Sequence, residues 1–532
     1  MRRVALRLGG RGGDVPLGLI LLTGAIAIAV VSPLVWLVLA ASAVDPARGW
    51  ELLVRDSTRE VLLDSLLLML GVTAAGVIVG VPLAVLTTLT DLPYRRLWTV
   101  LVALPLVVPS YVGAFAVVSA FGPRGRFVDL LEPLGVTELP SIYGLRGAIL
   151  IISMYTYPYV FLTTRAALIA FDERLLDAAR SLNHGQARAI WQVAIPQVRP
   201  AVAAGALLSA LYALSDFGTP AIMRASVFTR EIYLELRSLG HDYAAILSLE
   251  LLALVVLVLI LERSVRPEAG RGSQVRRAAG RPISLGRWRW PAVLAPLTVV
   301  TVSLGIPLWI LLAWLVDPGT ARRSSLAFEW SFAMNSVLVA VVTALVAAAA
   351  AVPVAYLARR HGGLLPDILE RVTYLGFAVP GIVLGFALVY LGANVAPVVY
   401  PTLGLLTFAY VVRFLPQAVS ALGGSAVQVD ARLIEAAGTL GASRLRVFRR
   451  VTLPMLAPGV VAGGALVFLT TMKELPITLL LRPRGFETIV TQIWRAQEQG
   501  FYQYAAVPAI LLIGISGLSM LVLLAQEGSA KT

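Results

Sequence analysis

Cysteine is absent from this 532-residue chain, and histidine and lysine nearly so: the histidines are His184, His241 and His361, the lysines Lys473 and Lys531. Without cysteine there are no disulfides and no thiolate metal sites. Three scattered histidines make no metal cage. Neither lysine stands in G-x-x-x-x-G-K-[ST], so the chain has no Walker A loop of its own. No catalytic residue, bound cofactor or firm metal site is therefore expected within it. Charge is scarce as well. Only 14% of residues are charged, against about 25% in soluble domains, which excludes one large soluble core. With 58% hydrophobic residues and a mean hydropathy of +0.83, disorder is excluded too.

What the chain has in abundance is long apolar runs. Twelve segments can be drawn, at 15–44, 61–89, 97–121, 143–170, 201–222, 243–262, 291–316, 334–357, 372–392, 401–422, 459–481 and 504–525. Each reaches the ~20 residues that cross a ~30 Å hydrocarbon layer. No alternating barrel pattern appears, so the backbone must satisfy itself as helices, and the chain reads as an all-α membrane protein. Arg2 and Arg3 precede the first segment, and Ala41-Ser42-Ala43 resembles a cleavage site. The run is far longer than the ~7–15 apolar residues of a signal peptide, so it reads as an uncleaved first helix.

Loop charges orient the spans. With the N-terminus inside, the inside segments carry 28 Lys and Arg and the outside segments 13. That bias places both termini in the cytoplasm. It also accounts for the formal charge of +14 with no nucleic-acid partner. The densest cluster follows span six, from Arg263 to Arg289. It reads as a cytoplasmic linker that pins topology, with attraction to lipid headgroups as the alternative.

The chain is also a duplication. Asp172-Glu173-Arg174-Leu175-Leu176-Asp177-Ala178-Ala179 aligns with Asp430-Ala431-Arg432-Leu433-Ile434-Glu435-Ala436-Ala437 at an offset of 258. The offset continues without a gap through Pro196/Pro454 and Pro200/Pro458 to Asp216/Glu474, and Pro158/Pro416 also fits. Pro109/Pro380 and Asp64-Ser65/Asn335-Ser336 fit at 271. Each copy thus holds six spans, an even number, so the repeats run parallel and a pathway between the copies is expected. The expected organisation is 1–60 (N-terminal segment and first span), 61–263 (first repeat core), 264–290 (Arg-rich linker), 291–330 (seventh span and outside loop), 331–525 (second repeat core) and 526–532 (tail). Gly76-x-x-x-Gly80 and Gly381-x-x-x-Gly385 are candidate close helix contacts.

The best-matched parts of the copies are the loops 172–200 and 430–458. Leu175, Leu176, Ala179 and Leu182, like Leu433, Ile434, Ala437 and Leu440, recur at helical spacing. Asn183 and Gly441 follow as turn residues, and a second short helix is expected to run to Pro196 or Pro454. Glu435-Ala436-Ala437-x-x-x-Gly441, nine residues, then Val451-x-Leu453-Pro454 resembles the EAA signature of ABC importer permeases. Asp177-Ala178-Ala179-x-x-x-Asn183 to Val193-x-Ile195-Pro196 is a degenerate version, with Asp for Glu and Asn for Gly. Lys473-Glu474-Leu475-Pro476, Leu479-Leu480-Leu481-Arg482-Pro483, Gly485-Phe486-Glu487-Thr488 and Ser215-Asp216-Phe217-Gly218 resemble the fused two-domain permeases of ferric-iron importers. Fused thiamine and phosphonate permeases share much of this architecture.

The resemblance implies a type I ABC importer permease in the bacterial cytoplasmic membrane. It implies two copies of a cytoplasmic ATPase, which hold ATP and Mg and dock on the two loops, and a substrate-binding protein outside. The coupling residues would be Asp177, Ala178, Ala179, Asn183 and Pro196 in one copy and Glu435, Ala436, Ala437, Gly441 and Pro454 in the other. Charged residues within or near the spans are Asp64, Arg146, Asp216, Glu250, Arg413, Lys473 and Glu474. A charge at the bilayer centre costs about 2.5–3.5 kcal/mol on insertion scales, so such groups face a cavity or a partner. Asp216, Lys473, Glu474, Asp64 and Arg413 are the translocation-path candidates. The structural alternative for Asp216 and Glu474 is an ion pair of a carboxylate with Lys473 or Arg413, or hydrogen bonding to broken-helix backbone near Pro220 and Pro476. An ion-coupled secondary transporter is the competing function, although the paired loops would then have no clear role.

Overall fold

The computed structural model describes residues 17–122, 125–135, 138–171, 175, 188, 190–265, 283–316, 328–360, 363–426 and 431–529. Helix dominates among them, and an isolated bridge between Thr90 and Ile283 is the extended pairing present. The first copy supplies α1 (Leu17–Ser42), α2 (Asp56–Leu89), α3 (Arg95–Val107), α4 (Ser110–Phe121), α5 (Leu145–Ala170), α6 (Ile195–Ser215), α7 (Gly218–Met223), α8 (Phe228–Arg237) and α9 (His241–Val265). The second supplies α10 (Pro291–Val316), α11 (Trp330–Arg360), α12 (Leu364–Ala378), α13 (Gly381–Asn394), α14 (Leu403–Ala426), α15 (Ala431–Thr439), α16 (Arg444–Val447), α17 (Leu453–Lys473), α18 (Pro476–Leu481), α19 (Ile489–Glu498) and α20 (Ala506–Ser529). Nine described helices are long and apolar enough to span a bilayer, and two bent pairs bring the number to eleven. A shorter apolar helix at Tyr502–Gly517 stands where the twelfth segment was drawn.

Spans three and nine, drawn from hydropathy as straight runs 97–121 and 372–392, are each broken. α3 and α4 meet at 93°, α12 and α13 at 99°. The breaks fall at Pro109 and Pro380, the pair aligned at offset 271. The cause is local. A proline drives its preceding residue out of the helical region, and Val108 and Val379 are extended, with ψ of 125° and 124°.

A second difference lies at the mouths of spans five and eleven. The short helix of the second loop does not stop at Pro454 but runs into span eleven through a wide π turn at Phe448–Thr452. In the first copy most of the short helix lies outside the described residues, and helix is likewise continuous across Pro196 from a π turn at Ile190–Ala194. A proline lacks the amide for its i−4 carbonyl and its ring crowds that carbonyl. For Pro196 and Pro454 those carbonyls belong to Gln192 and Arg450, inside the π turns, where the widened helix makes room.

The chain divides into two compact units. One comprises the described parts of Met1–Pro46, Phe328–Gln492 and Leu518–Thr532. Here α1 lies against α11, α12 and α13, and α11, α14 and α17 form the central layer. The other comprises Ala47–Ala327 and Ile493–Gly517 in their described parts. Its centre is α2, α5 and α6, with α10 against α4. Thus α1 belongs with the second repeat and α10 with the first.

The Gly pairs behave unequally. A Cβ on Gly80 would come within 2.9 Å of the Phe161 amide on α5, whereas one on Gly76 would make ordinary contacts from 3.5 Å. Gly385 lies against Leu480 of α18, 2.7 Å from where its Cβ would be. In the first pair close approach is thus built on Gly80 alone, whereas in the second both Gly381 and Gly385 lie in tight places.

Candidate functional site

The helix of span five stops at Asp216 and that of span eleven at Glu474. Both residues are extended, with ψ of 123° and 113°. In the first copy Pro220 removes the amide that would have bonded the Asp216 carbonyl. Thr229 on α8 donates its Oγ1 to that carbonyl at 2.7 Å. In the second copy Thr478 donates its Oγ1 to the Glu474 carbonyl, and the Tyr410 hydroxyl lies 2.6 Å from the same Oγ1. Each break thus has its freed carbonyl satisfied by a threonine, as a low-dielectric setting requires.

The carboxylates meet different partners. Asp216 is half-buried, and Ser110 donates its Oγ to Oδ2 at 2.8 Å. Tyr212 in turn donates its hydroxyl to Ser110 Oγ at 3.2 Å. Glu474 is 8% exposed and pairs with Arg413, whose Nε lies 3.4 Å from Oε2. Arg413 also donates NH1 to the Val379 carbonyl at 2.7 Å. That carbonyl sits at the α12–α13 break, so one guanidinium ties the two interrupted spans of this copy together.

Ser110 and Gly381 are repeat equivalents at offset 271, and Tyr155 and Arg413 at offset 258. A Cβ on Gly381 would stand 2.5 Å from Glu474 Oε1 and 3.2 Å from Arg413 NH1. The longer carboxylate therefore uses space that the first copy gives to a serine. Ser110 was not singled out from the sequence, and Gly381 only as a candidate helix contact, although both directly follow the aligned prolines.

Asp64 sits on the first turns of α2, half-buried, and is not brought to Asp216 by any described contact. Its neighbour Ser65 accepts the Phe228 amide at 3.1 Å, and Ser336 accepts the Ile489 amide at 2.8 Å. Asn335 donates Nδ2 to the Glu487 carbonyl at 2.9 Å. Ser65 and Ser336 thus cap the short helices α8 and α19 from a neighbouring span, and Asn335 holds the residue two before α19. Lys473 is the last residue of α17, beside Glu474.

Of the two loops, the second is described in part. α15 ends in a turn where Gly441 has φ of +77°, the left-handed value that favours glycine. The Leu440 and Ala442 amides bond the Ala436 and Ala437 carbonyls at 3.2 and 3.1 Å. Leu433 and Leu440 are exposed, at 49% and 86%, and Ala436 is exposed with them. Glu435 lies on α15, and Pro454 opens α17. In the first loop Asp177, Ala178, Ala179 and Asn183 lie outside the described residues, while Pro196 opens α6.

A family model for binding-protein-dependent transport system inner membrane components matches residues 73–267 and 351–527. The chain belongs to that family. The double match reproduces the duplication, and α1 and α10 lie outside both matched stretches. This permease is 29% identical over 96% of its length to the Fe(3+)-transport system permease protein FbpB 2 of Haemophilus influenzae, covering 98% of that protein. It is 24% identical over 85% of its length to the ferric transport system permease protein FbpB of Actinobacillus pleuropneumoniae, covering 69% of it. The molybdenum transport system permease protein ModB of Mycobacterium tuberculosis is 28% identical over 42% of the chain and 86% of its own length. The chain is thus a multi-pass inner-membrane permease subunit.

Proposed function

We propose that this permease moves ferric iron into the cytoplasm, driven by ATP hydrolysed on two separate ATPase subunits. These hold ATP and Mg and dock on loops 172–200 and 430–458. Iron is received from a substrate-binding protein on the outer face, and both termini are cytoplasmic. The observation that carries the reading is the end-to-end similarity to a protein named for Fe(3+) transport, across both repeats. The molybdenum permease ModB matches less than half of the chain. Exposed Leu433 and Leu440 support docking at the second loop. Asp177, Ala178, Ala179, Asn183 and Pro196, with Glu435, Ala436, Ala437, Gly441 and Pro454, are assigned to the two docking loops. Asp216 and Glu474 are assigned to attracting the cation, with Asp64, Arg413 and Lys473 as further groups on its path.

The test is proteoliposomes containing the permease with its co-purified ATPase and binding protein. Ferric iron uptake should require ATP and survive collapse of ion gradients. Uptake that ignores ATP but stops with the gradient sinks the importer reading. Competition by molybdate, thiamine or a phosphonate, but not by ferric iron, sinks the cargo assignment. Leu440→Asp, at an exposed position where stability changes stay within about 0.5 kcal/mol, should weaken ATPase retention at least about tenfold. Asp216→Asn with Glu474→Gln should cut uptake while the ATPase still co-purifies.

A further inference from the structure

The second repeat contains an apolar cavity of about 400 Å³ among Leu19 and Leu22 of α1, Pro353 and Tyr356 of α11, and Phe448 and Leu453 at the head of α17. That volume falls in the ~300–1,000 Å³ range of small-molecule sites. Tyr356 and Phe448 meet edge to face, with ring centroids 6.1 Å apart. The cavity lies at the start of α1, the end of α11 and the start of α17, so the ends of three helices long and apolar enough to span a bilayer meet there. Its wall offers almost no polar group, so it suits hydrocarbon and not water.

The first repeat supplies an internal control. Val85, Ile190 and Ile195 stand where the second repeat has Tyr356, Phe448 and Leu453. All three pack into a continuous hydrophobic cluster with Leu83, Ala84 and Val300. The chain fills this place in one half and leaves it open in the other. Charge differs in the same sense. Arg449 and Arg450 follow Phe448 on its turn and are exposed, whereas their equivalents are Trp191 and Gln192. Clustered arginines at the boundary of membrane helices attract anionic headgroups.

We propose that the second half binds an anionic membrane phospholipid, one acyl chain in the groove and its phosphate on Arg449 and Arg450. The test weighs the intact full-length permease by native mass spectrometry after exchange into phosphatidylglycerol or phosphatidylcholine. One phosphatidylglycerol should stay bound per chain, preferred at least about tenfold over phosphatidylcholine, and excess inorganic phosphate should not displace it. Leu453→Trp, which fills the groove, should release the lipid. Leu22→Phe does so at a half-exposed position if the tryptophan fails to fold. Arg449→Gln with Arg450→Gln should keep one lipid but erase the headgroup preference. Equal retention of both lipids by the unmodified protein overturns the proposal, as does unchanged retention in the filled variants or unchanged preference in the double glutamine variant.

Discussion

The breaks at Asp216 and Glu474 share a backbone and differ in chemistry. Both end a 21-residue helix in an extended carboxylate residue. At Asp216 the neighbours are hydroxyls, Ser110 and then Tyr212. At Glu474 the neighbour is a guanidinium that also holds the Val379 carbonyl. The exchange is concerted: a short carboxylate with serine at 110, a long one with glycine at 381. The repeat preserves where a negative group stands and lets its neutralisation vary. One half carries a hydrogen-bonded carboxylate and the other a carboxylate bound into an ion pair.

The comparison breaks most sharply at Arg413. Arg413→Ala should leave Glu474 buried without its cation, destabilising the protein by about 3–5 kcal/mol. Thermal unfolding in detergent reads this, and Glu474→Gln in the same chain should recover part of the loss. Equal stability of Arg413→Ala and the parent would show that the pair holds nothing. In the other half Ser110→Ala removes one hydrogen bond to a carboxylate, an expected loss of about 1.5–3 kcal/mol. A loss as large as that of Arg413→Ala would mean the two sites are equivalent after all.

Gly381→Ser imposes the first half's residue on the second. With Glu474 Oε1 only 2.5 Å from the added Cβ, overpacking should cost about 1–3 kcal/mol. Adding Glu474→Asp should relieve part of it, which a double-mutant cycle measures; strict additivity would deny the exchange. The smallest effect concerns the shared feature. Ser65→Ala and Ser336→Ala each remove one cap from a short helix, costing about 1 kcal/mol. The two losses should match, in contrast to the carboxylate sites, and hydrogen exchange at the start of α8 and α19 should localise them.

The duplication, the six-plus-six spans and the aligned carboxylates were legible because offset and hydropathy are properties of the sequence itself. The bends were not. Pro33, Pro82, Pro158, Pro200, Pro353, Pro416 and Pro458 lie inside continuous helices. Pro109 and Pro380 break theirs. An apolar run reads the same either way, and packing decides which proline the helix tolerates. The packing of α1 with the second repeat was likewise invisible, since composition carries no address. The sequence offered both Lys473 and Arg413 as partners for a carboxylate, without saying which carboxylate. The choice of Arg413 for Glu474 needed the three-dimensional return of a residue 61 positions earlier.

The two 21-residue helices have a mechanical meaning. At 1.5 Å per residue each is a rod of about 31 Å, with the loop segment at one end and the carboxylate at the other. A helix transmits rotation as well as thrust, and one inserted residue would swing its far end by about 100°. Length along such a rod is therefore also angular phase. The offset of 258 that runs unbroken from Asp172/Asp430 to Asp216/Glu474 keeps both shafts clocked alike, whereas the loops elsewhere, which transmit no rotation, have drifted by 13 residues between the copies.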